Sequence, residues 1–286
     1  MPAASPLISA EELAARLDDP HVRVADVRWY LGQPDRGRNE YAAGHVPGAV
    51  FVDIETVLAA PPGAGRHPLP EPKGFAASLA LLGFGDEHEM VAYDDGGGSI
   101  AARLWWMLDD LGHPAVRVLD GGYARWTALG LPTETNASTH PPAVLHLADR
   151  WLKVVDRDAV RSSLGRATIL DARAGERYRG EVEPIDPVAG HIPTALSAPS
   201  AGNIGPDARL LPPHVLRDRF ARLGIGDDPG SVITSCGSGI TACHNALAMR
   251  VAGLPDPLLY PGSYSDWSSS GEPVATGREP GSLSPR

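Results

Sequence analysis

The sequence repeats itself. Leu82-Gly83-Phe84-Gly85-Asp86 returns 141 residues later as Leu223-Gly224-Ile225-Gly226-Asp227. Gly44-His45-Val46-Pro47 returns as Gly190-His191-Ile192-Pro193, at an offset of 146. The Gly-x-Tyr-x-x-Trp of Gly121 to Trp126 returns at 141 in Gly262 to Trp267. Three matches in one order exclude coincidence, and a period this long is a duplicated domain rather than a solenoid repeat. A chain of 286 residues has room for two domains of roughly 100–200 residues, each with its own core. The expected division is 1–132, a linker at 133–152, and 153–286. Thr133–Pro142, rich in Thr, Asn, Ser and Pro, lacks apolar periodicity.

Each half alternates short apolar runs with helical patterns. Gly (32) and Pro (28) make about one residue in five and punctuate the chain without a collagen period. Ser9 with Glu12 forms a capping box that opens a helix through Leu13 and Leu17. Val22–Asp26, Glu89–Tyr93 and Val116–Leu119 read as strands, with a helix over Ile100–Leu111. In the second half Thr168–Asp171, Ser231–Ser235 and Leu258–Tyr260 read as strands, with helices near His214–Leu223 and Thr241–Val251. Buried runs alternating with helices indicate an α/β fold: two similar domains, each a parallel sheet covered by helices.

Charge and cysteine content narrow the function classes. With 25 Lys+Arg against 35 Asp+Glu the formal charge is −10, which argues against a nucleic-acid or anionic-membrane binder. No apolar run approaches a membrane span, and the first residues carry no secretory signal. Two cysteines rule out a disulfide scaffold and fit a reducing, cytoplasmic compartment.

Ligands on parallel sheets bind beyond the carboxyl ends of strands. Cys236-Gly237-Ser238-Gly239-Ile240 stands there, between the strand ending at Ser235 and a helix opening at Thr241. Glycines let backbone N–H groups converge on one point, and the helix start adds positive potential. Both stabilise a nucleophilic thiolate. Cys243, inside the following helix, reads as a small core residue. Cys236, Cys243 and His244 do not match a zinc spacing, so no metal is expected. A phosphotyrosine-phosphatase loop needs an Arg six residues after the cysteine, and Ala242 stands there. Asp94-Asp95-Gly96-Gly97-Gly98, the other Gly-rich turn, lacks a P-loop Lys, and no cofactor motif is evident.

The loop Cys236-Gly-Ser-Gly-Ile-Thr-Ala242 resembles the active-site loop of rhodanese-fold sulfurtransferases, particularly the mercaptopyruvate type. Asp171-Ala-Arg-x-x-x-Arg177-Tyr-Arg-Gly180 is similar to that family's Asp-Ala-Arg…Arg-Phe-x-Gly segment. Gly44-His-Val-Pro-Gly-Ala49 and Gly190-His-Ile-Pro193 resemble its His-Ile-Pro-Gly-Ala signatures. Leu119-Asp-Gly-Gly122 and Gly262-Ser-Tyr-Ser-Asp-Trp267 fit its late segments. The likeness runs from about residue 7 to residue 275. It implies two tandem rhodanese-like domains, the first without a catalytic cysteine, since Asp95 occupies the counterpart of Cys236.

The resemblance further implies a two-step reaction. Cys236 takes a sulfur from an anionic donor, becomes a persulfide, and passes the sulfur to cyanide or a thiol. Arg177 matches the substrate-binding Arg, with Arg179 a second candidate. Gly237, Gly239, Ile240 and Thr241 form the loop that would hold the bound sulfur. Ser238 matches the serine of a proton relay in which His45 and Asp35 stand for the family's His and Asp; alternatively His45, like His191, only orders its turn. Gly237 and Ser238 replace the basic residues of the thiosulfate-type loop, which favours 3-mercaptopyruvate. Against that, Glu181-Val-Glu-Pro-Ile-Asp186 lacks the second Arg of mercaptopyruvate-type enzymes. Thr194 replaces a Gly, so that turn is expected to differ. Two alternatives stand beside the favoured one: thiosulfate as donor, and a persulfide carrier or redox sensor serving a protein partner. The duplication supplies two copies of the fold within one chain, so the sequence sets no oligomeric state.

Overall fold

A computed structural model describes residues 5–227 and 230–282. The chain forms two compact units, neither of them contiguous. Unit 1 takes the chain up to Ala60, then Pro70–Leu152 and Ile204–Leu210, and unit 2 takes Pro61–Leu69, Lys153–Asn203 and the chain from Leu211.

In unit 1 the order is β1 (Leu7–Ile8), α1 (Ala10–Ala14), β2 (Val22–Asp26), α2 (Arg36–Ala43), β3 (Val50–Phe51), α3 (Pro72–Leu81), β4 (Glu89–Tyr93), α4 (Ala101–Asp110), β5 (Val116–Leu119) and α5 (Gly122–Ala128). The sheet is parallel, in the order β1-β5-β4-β2-β3. Leu13, Val24, Val91, Leu119 and Trp126 pack into its core. Ser9 caps α1, its Oγ accepting from Glu12 N at 3.0 Å. The helix stops at Ala14, short of Leu17, which packs against the core from the following turn.

The segment 133–152, expected as a linker, lies within unit 1. His45 and Glu134 exchange backbone hydrogen bonds at 2.9 and 3.0 Å. Trp151 donates to Pro70 O at 3.1 Å and stacks on Trp106. Aromatic packing of this kind ties down a stretch that has no periodicity of its own.

In unit 2 the order is α6 (Arg157–Ser163), β6 (Thr168–Asp171), α7 (Gly175–Tyr178), β7 (Leu196–Ser197), a 3₁₀ turn (Ser200–Asn203), α8 (Pro213–Ala221), β8 (Val232–Ser235), α9 (Ala242–Val251), β9 (Leu258–Leu259) and α10 (Ser263–Ser269). Its parallel sheet runs β7-β6-β8-β9, over a core including Val160, Ile169, Ile233, Tyr264 and Trp267. The inner strand β8 therefore delivers its carboxyl end to the middle of the sheet edge. No helix among the described residues is long and apolar enough to cross a membrane.

The duplication extends to individual hydrogen bonds. Arg28 forks onto Asp26 and donates to Gly44 O at 2.7 Å; Arg173 forks onto Asp171 and donates to Gly190 O at 2.6 Å. Each guanidinium lies over a tyrosine ring, Tyr123 at 4.3 Å and Tyr264 at 3.8 Å. Charges this deeply buried persist because both the ion pair and the remaining N–H donors are satisfied. Trp126 and Trp267 each donate from Nε1 to a proline carbonyl six residues on, at 2.7 Å.

Thr194 keeps the turn it was expected to change. Its φ is 70°, against 76° at Gly48, the equivalent residue of unit 1. A β-branched residue held left-handed costs roughly 1–2 kcal/mol. Thr194→Gly is expected to raise the unfolding midpoint by about 2–4 °C, for a gain of about 1 kcal/mol. Thermal melts of the two proteins check this; an unchanged or lower midpoint would show that the 3.2 Å bond from Gly165 N to Thr194 Oγ1 outweighs the strain.

Candidate active site

Cys236 follows β8 directly and is 2% exposed. Its backbone is fixed at both groups: Cys236 N donates to Ser263 Oγ at 3.0 Å, and Cys236 O accepts from Tyr264 N at 2.9 Å. Sγ accepts from Gly239 N at 3.1 Å, so the loop curls back and aims an amide at the sulfur. That curl needs glycine at 239, where φ is 80° and a Cβ would lie 2.5 Å from Pro261 O. Ser238 and Ile240 are buried in the same loop, and Thr241 precedes α9 at its N-cap position. Cys243 lies in α9, fully buried, its Sγ donating to Gly239 O at 3.4 Å. That is the core placement expected for it.

Two guanidinium groups stand beside the loop. A Cβ on Gly237 would lie 2.9 Å from Arg66 Nη2 and 3.5 Å from Arg177 Nη1. Arg177 was singled out from the sequence. Its Nη2 pairs with Glu183 Oε1 at 2.7 Å and Asp186 Oδ2 at 3.0 Å, and its side chain is 16% exposed. Arg66 was not singled out. It belongs to Pro61–Leu69, which packs as part of unit 2; its N donates to Ser265 Oγ at 3.1 Å and its Nη1 pairs with Asp186 Oδ1. Arg173 completes the group through Glu183 Oε2 at 3.3 Å.

The carboxylates respond differently. Burial pushes Asp186 above the ordinary aspartate range, even against the pull of Arg66 and Arg177. Burial also acts on Glu183, but there the Arg177 hydrogen bond and the backbone amides of Asp186 and Ile185 bring the carboxyl below its usual value. Arg179 turns away to an exposed pair with Glu181 at 2.7 Å. A pair of that kind contributes little and gives Arg179 no contact with the loop.

His45 and Asp35 both belong to unit 1. The His45 ring is fully buried, stacked 3.8 Å from Tyr41, with Nδ1 2.8 Å from Tyr41 O. A carbonyl only accepts, so Nδ1 carries the proton. His191 repeats this arrangement, stacked 3.8 Å from Tyr178 with Nδ1 2.7 Å from Tyr178 O. The two units thus share one histidine geometry, except that His45 Nε2 also stands 3.4 Å from Glu134 Oε1. Asp35 is exposed and precedes α2 without a side-chain cap.

Ser263 holds the loop at Cys236 and was not singled out from the sequence. Its φ is 53°, and its counterpart in unit 1, Gly122, has φ 57°. Unit 1 fills this left-handed position with the residue that suits it. Unit 2 holds a serine there, whose Oγ accepts from Cys236 N, donates to Tyr260 O at 2.9 Å and stands 4.0 Å from Sγ. Ser263→Gly is expected to lower kcat/KM about tenfold with a near-unchanged melting midpoint, since relief of strain offsets a buried amide left unsatisfied at about 1–3 kcal/mol. Ser263→Ala keeps the strain and should lose stability as well. If the glycine variant kept full activity, the hydroxyl would have no part in ordering the loop.

The model of the rhodanese-like domain matches this chain twice, at residues 9–129 and 156–270. The chain is 45% identical over 278 residues to the probable 3-mercaptopyruvate sulfurtransferase of Pseudomonas aeruginosa, covering 95% of this chain and 98% of that one. It is 41% identical over 273 residues to the putative thiosulfate sulfurtransferase SseB of Mycobacterium tuberculosis, covering 92% and 94%. The crystal structure of SseA from Escherichia coli, a 3-mercaptopyruvate sulfotransferase, matches with a TM-score of 0.80 at 34% identity, covering 92% of this chain and 100% of that one. The chain belongs to the rhodanese-like family, as a two-domain sulfurtransferase.

Proposed function

We propose that the chain transfers sulfur from 3-mercaptopyruvate to a thiophilic acceptor, cyanide or a thiol, through a persulfide on Cys236. The observation that carries the reading is the loop itself: Sγ held by the Gly239 amide, with Arg66 and Arg177 beside Gly237. Names of relatives support the donor, since the probable 3-mercaptopyruvate sulfurtransferase of Pseudomonas aeruginosa and the 3-mercaptopyruvate sulfurtransferase of Escherichia coli are 45% and 36% identical to it.

In the first step the Cys236 thiolate attacks the donor sulfur. An S–S bond forms, the C–S bond breaks, and the electron pair leaves on carbon as the enolate of pyruvate, which takes a proton. Ser238, in the same loop, is the proposed relay for that proton. Arg177 holds the donor carboxylate. The Gly239 amide and the loop around it hold the negative persulfide. In the second step the acceptor attacks the outer sulfur, the S–S bond breaks, and the Cys236 thiolate returns. His45 is assigned to ordering its turn. A reducing, cytoplasmic setting belongs to the same proposal, and neither cysteine forms a disulfide.

Thiosulfate is the second reading, favoured by one observation: Arg66 brings a cation to the space beside Gly237 where the loop has no basic side chain. The test is kcat/KM for both donors side by side with cyanide as acceptor. A preference of tenfold or more for 3-mercaptopyruvate is expected. A preference for thiosulfate would reverse the donor assignment. Persulfidation of Cys236 without turnover on any small acceptor would replace the enzyme reading with that of a carrier serving a protein partner.

A further inference from the structure

We infer that Arg66 is the second anchor for the anionic head of the donor, working with Arg177 across Gly237. This rests on the sulfurtransferase reading and adds a residue to its binding site.

Four observations converge on Arg66. Its Nη2 is the nearest atom to the Cβ position of Gly237, at 2.9 Å, while Arg177 Nη1 is 3.5 Å from the same point. Two cationic donors therefore flank the residue that follows the nucleophile. The Arg66 backbone is pinned by Ser265 Oγ, and Ser265 N in turn donates to Gly237 O at 3.0 Å, so the arginine and the loop share one scaffold. Third, the guanidinium is not used up. Asp186 is its side-chain partner through Nη1, and the buried Nε has no hydrogen-bond partner among the described residues. Arg177, by contrast, already commits Nε and Nη2 to Glu183 and Asp186. Fourth, the Arg66 side chain is 27% exposed, on the wall of an open hollow of about 550 Å³ that Asp186 and Ser265 also line, so small solutes reach the arginine, although neither Gly237 nor Arg177 lines that hollow.

A buried donor left unmatched costs free energy, whereas a guanidinium met by an anion gains a charge-assisted bond. A carboxylate or sulfonate-like head beside Gly237 would gain such bonds from Arg66 Nη2 and Arg177 Nη1, the two guanidinium nitrogens nearest that residue. The absence of a side chain at 237 is what lets both guanidinium groups come so close to the loop. Asp186, paired with both arginines, acts as the positioning residue that spaces them.

The experiment compares wild type, Arg66→Gln and Arg66→Lys as full chains. Donor KM and kcat are measured, together with the alkylation rate of Cys236 by iodoacetate and by neutral iodoacetamide, read by mass on its peptide. Expected for Arg66→Gln are a KM raised roughly 10- to 100-fold, in line with loss of one charge-assisted bond, and a kcat within about threefold. The iodoacetate-to-iodoacetamide ratio should fall about tenfold, with Arg66→Lys between the two. Equal slowing with both reagents would mean a disrupted loop and would overturn the assignment, as would an unchanged KM and ratio. Should Arg66→Gln fail to fold, the ratio in Arg66→Lys, which keeps the ion pair with Asp186, decides by the same criteria. If no donor turns over with wild type but the ratio still falls in Arg66→Gln, the sulfurtransferase reading fails and the anion anchor stands.

Discussion

Cys236→Ser is expected to lower sulfur transfer at least about 10³-fold, while the protein melts within about 2 °C of wild type. A serine hydroxyl can still accept the Gly239 amide that Cys236 Sγ accepts at 3.1 Å, so the loop keeps its reason to curl. What goes is the nucleophile: an alkoxide is scarce at neutral pH, and no S–S bond can form at oxygen. A factor of 10³ is about 4 kcal/mol of activation free energy. Thiocyanate formation from either donor reads the loss, and intact mass shows whether 32 Da of sulfur (roughly one atom, as persulfide chemistry requires) still adds. Transfer that survived in this variant would remove Cys236 from the mechanism altogether.

Arg177→Ala should have the next largest effect, on two quantities at once. Donor kcat/KM is expected to fall about 10²-fold, since the variant loses a guanidinium that faces Gly237. Stability should fall by about 1–3 kcal/mol, because the side chains of Glu183 and Asp186, 3% and 1% exposed, each lose a counter-ion. The loss stays below that of a fully broken buried pair because Arg173 and Arg66 remain as partners. Glu183 is held below its ordinary value partly by Arg177. Its contribution is therefore present above the unfolded carboxyl range near pH 4.5 and disappears as pH falls through the depressed folded value. The stability gap between wild type and variant should be widest near neutrality and close below about pH 4. Denaturant melts from pH 3.5 to 7.5 check it; a gap independent of pH would mean that Glu183 does not draw on Arg177.

What the sequence made legible was local. The repeat, the strands from Val22 and Glu89, and the loop after Ser235 each depend on residues close together, so pattern and turn chemistry reach them. Three things lay outside that reach. The strands Leu7–Ile8, Val50–Phe51 and Leu196–Ser197 are two residues long and carry no periodicity. The left-handed turn at Thr194 is imposed by its surroundings against the residue's own preference. Arg66 meets Ser265 across 199 residues, from a Pro/Gly-rich stretch in which no motif marks it. Arg177 was the first candidate and Arg179 the second; the first faces the loop and the other a surface glutamate. His45 and His191 hold the same ring on the same kind of carbonyl, as their shared Gly-His-x-Pro motif announced. Duplication supplied the control that a single copy lacks.

Arg66, Arg173 and Arg177 are matched, one for one, by Asp171, Glu183 and Asp186. The patch beside Cys236 is thus electrically balanced before any donor arrives, and it is no sink of positive potential. On the proposed arrangement, an incoming anion meets the guanidinium nitrogens nearest Gly237, Arg66 Nη2 and Arg177 Nη1, and leaves the resident ion pairs in place. Long-range attraction then contributes little to capture, so donor association should change only weakly with ionic strength. Selectivity instead resides in how well a ligand's oxygens fit against those two nitrogens.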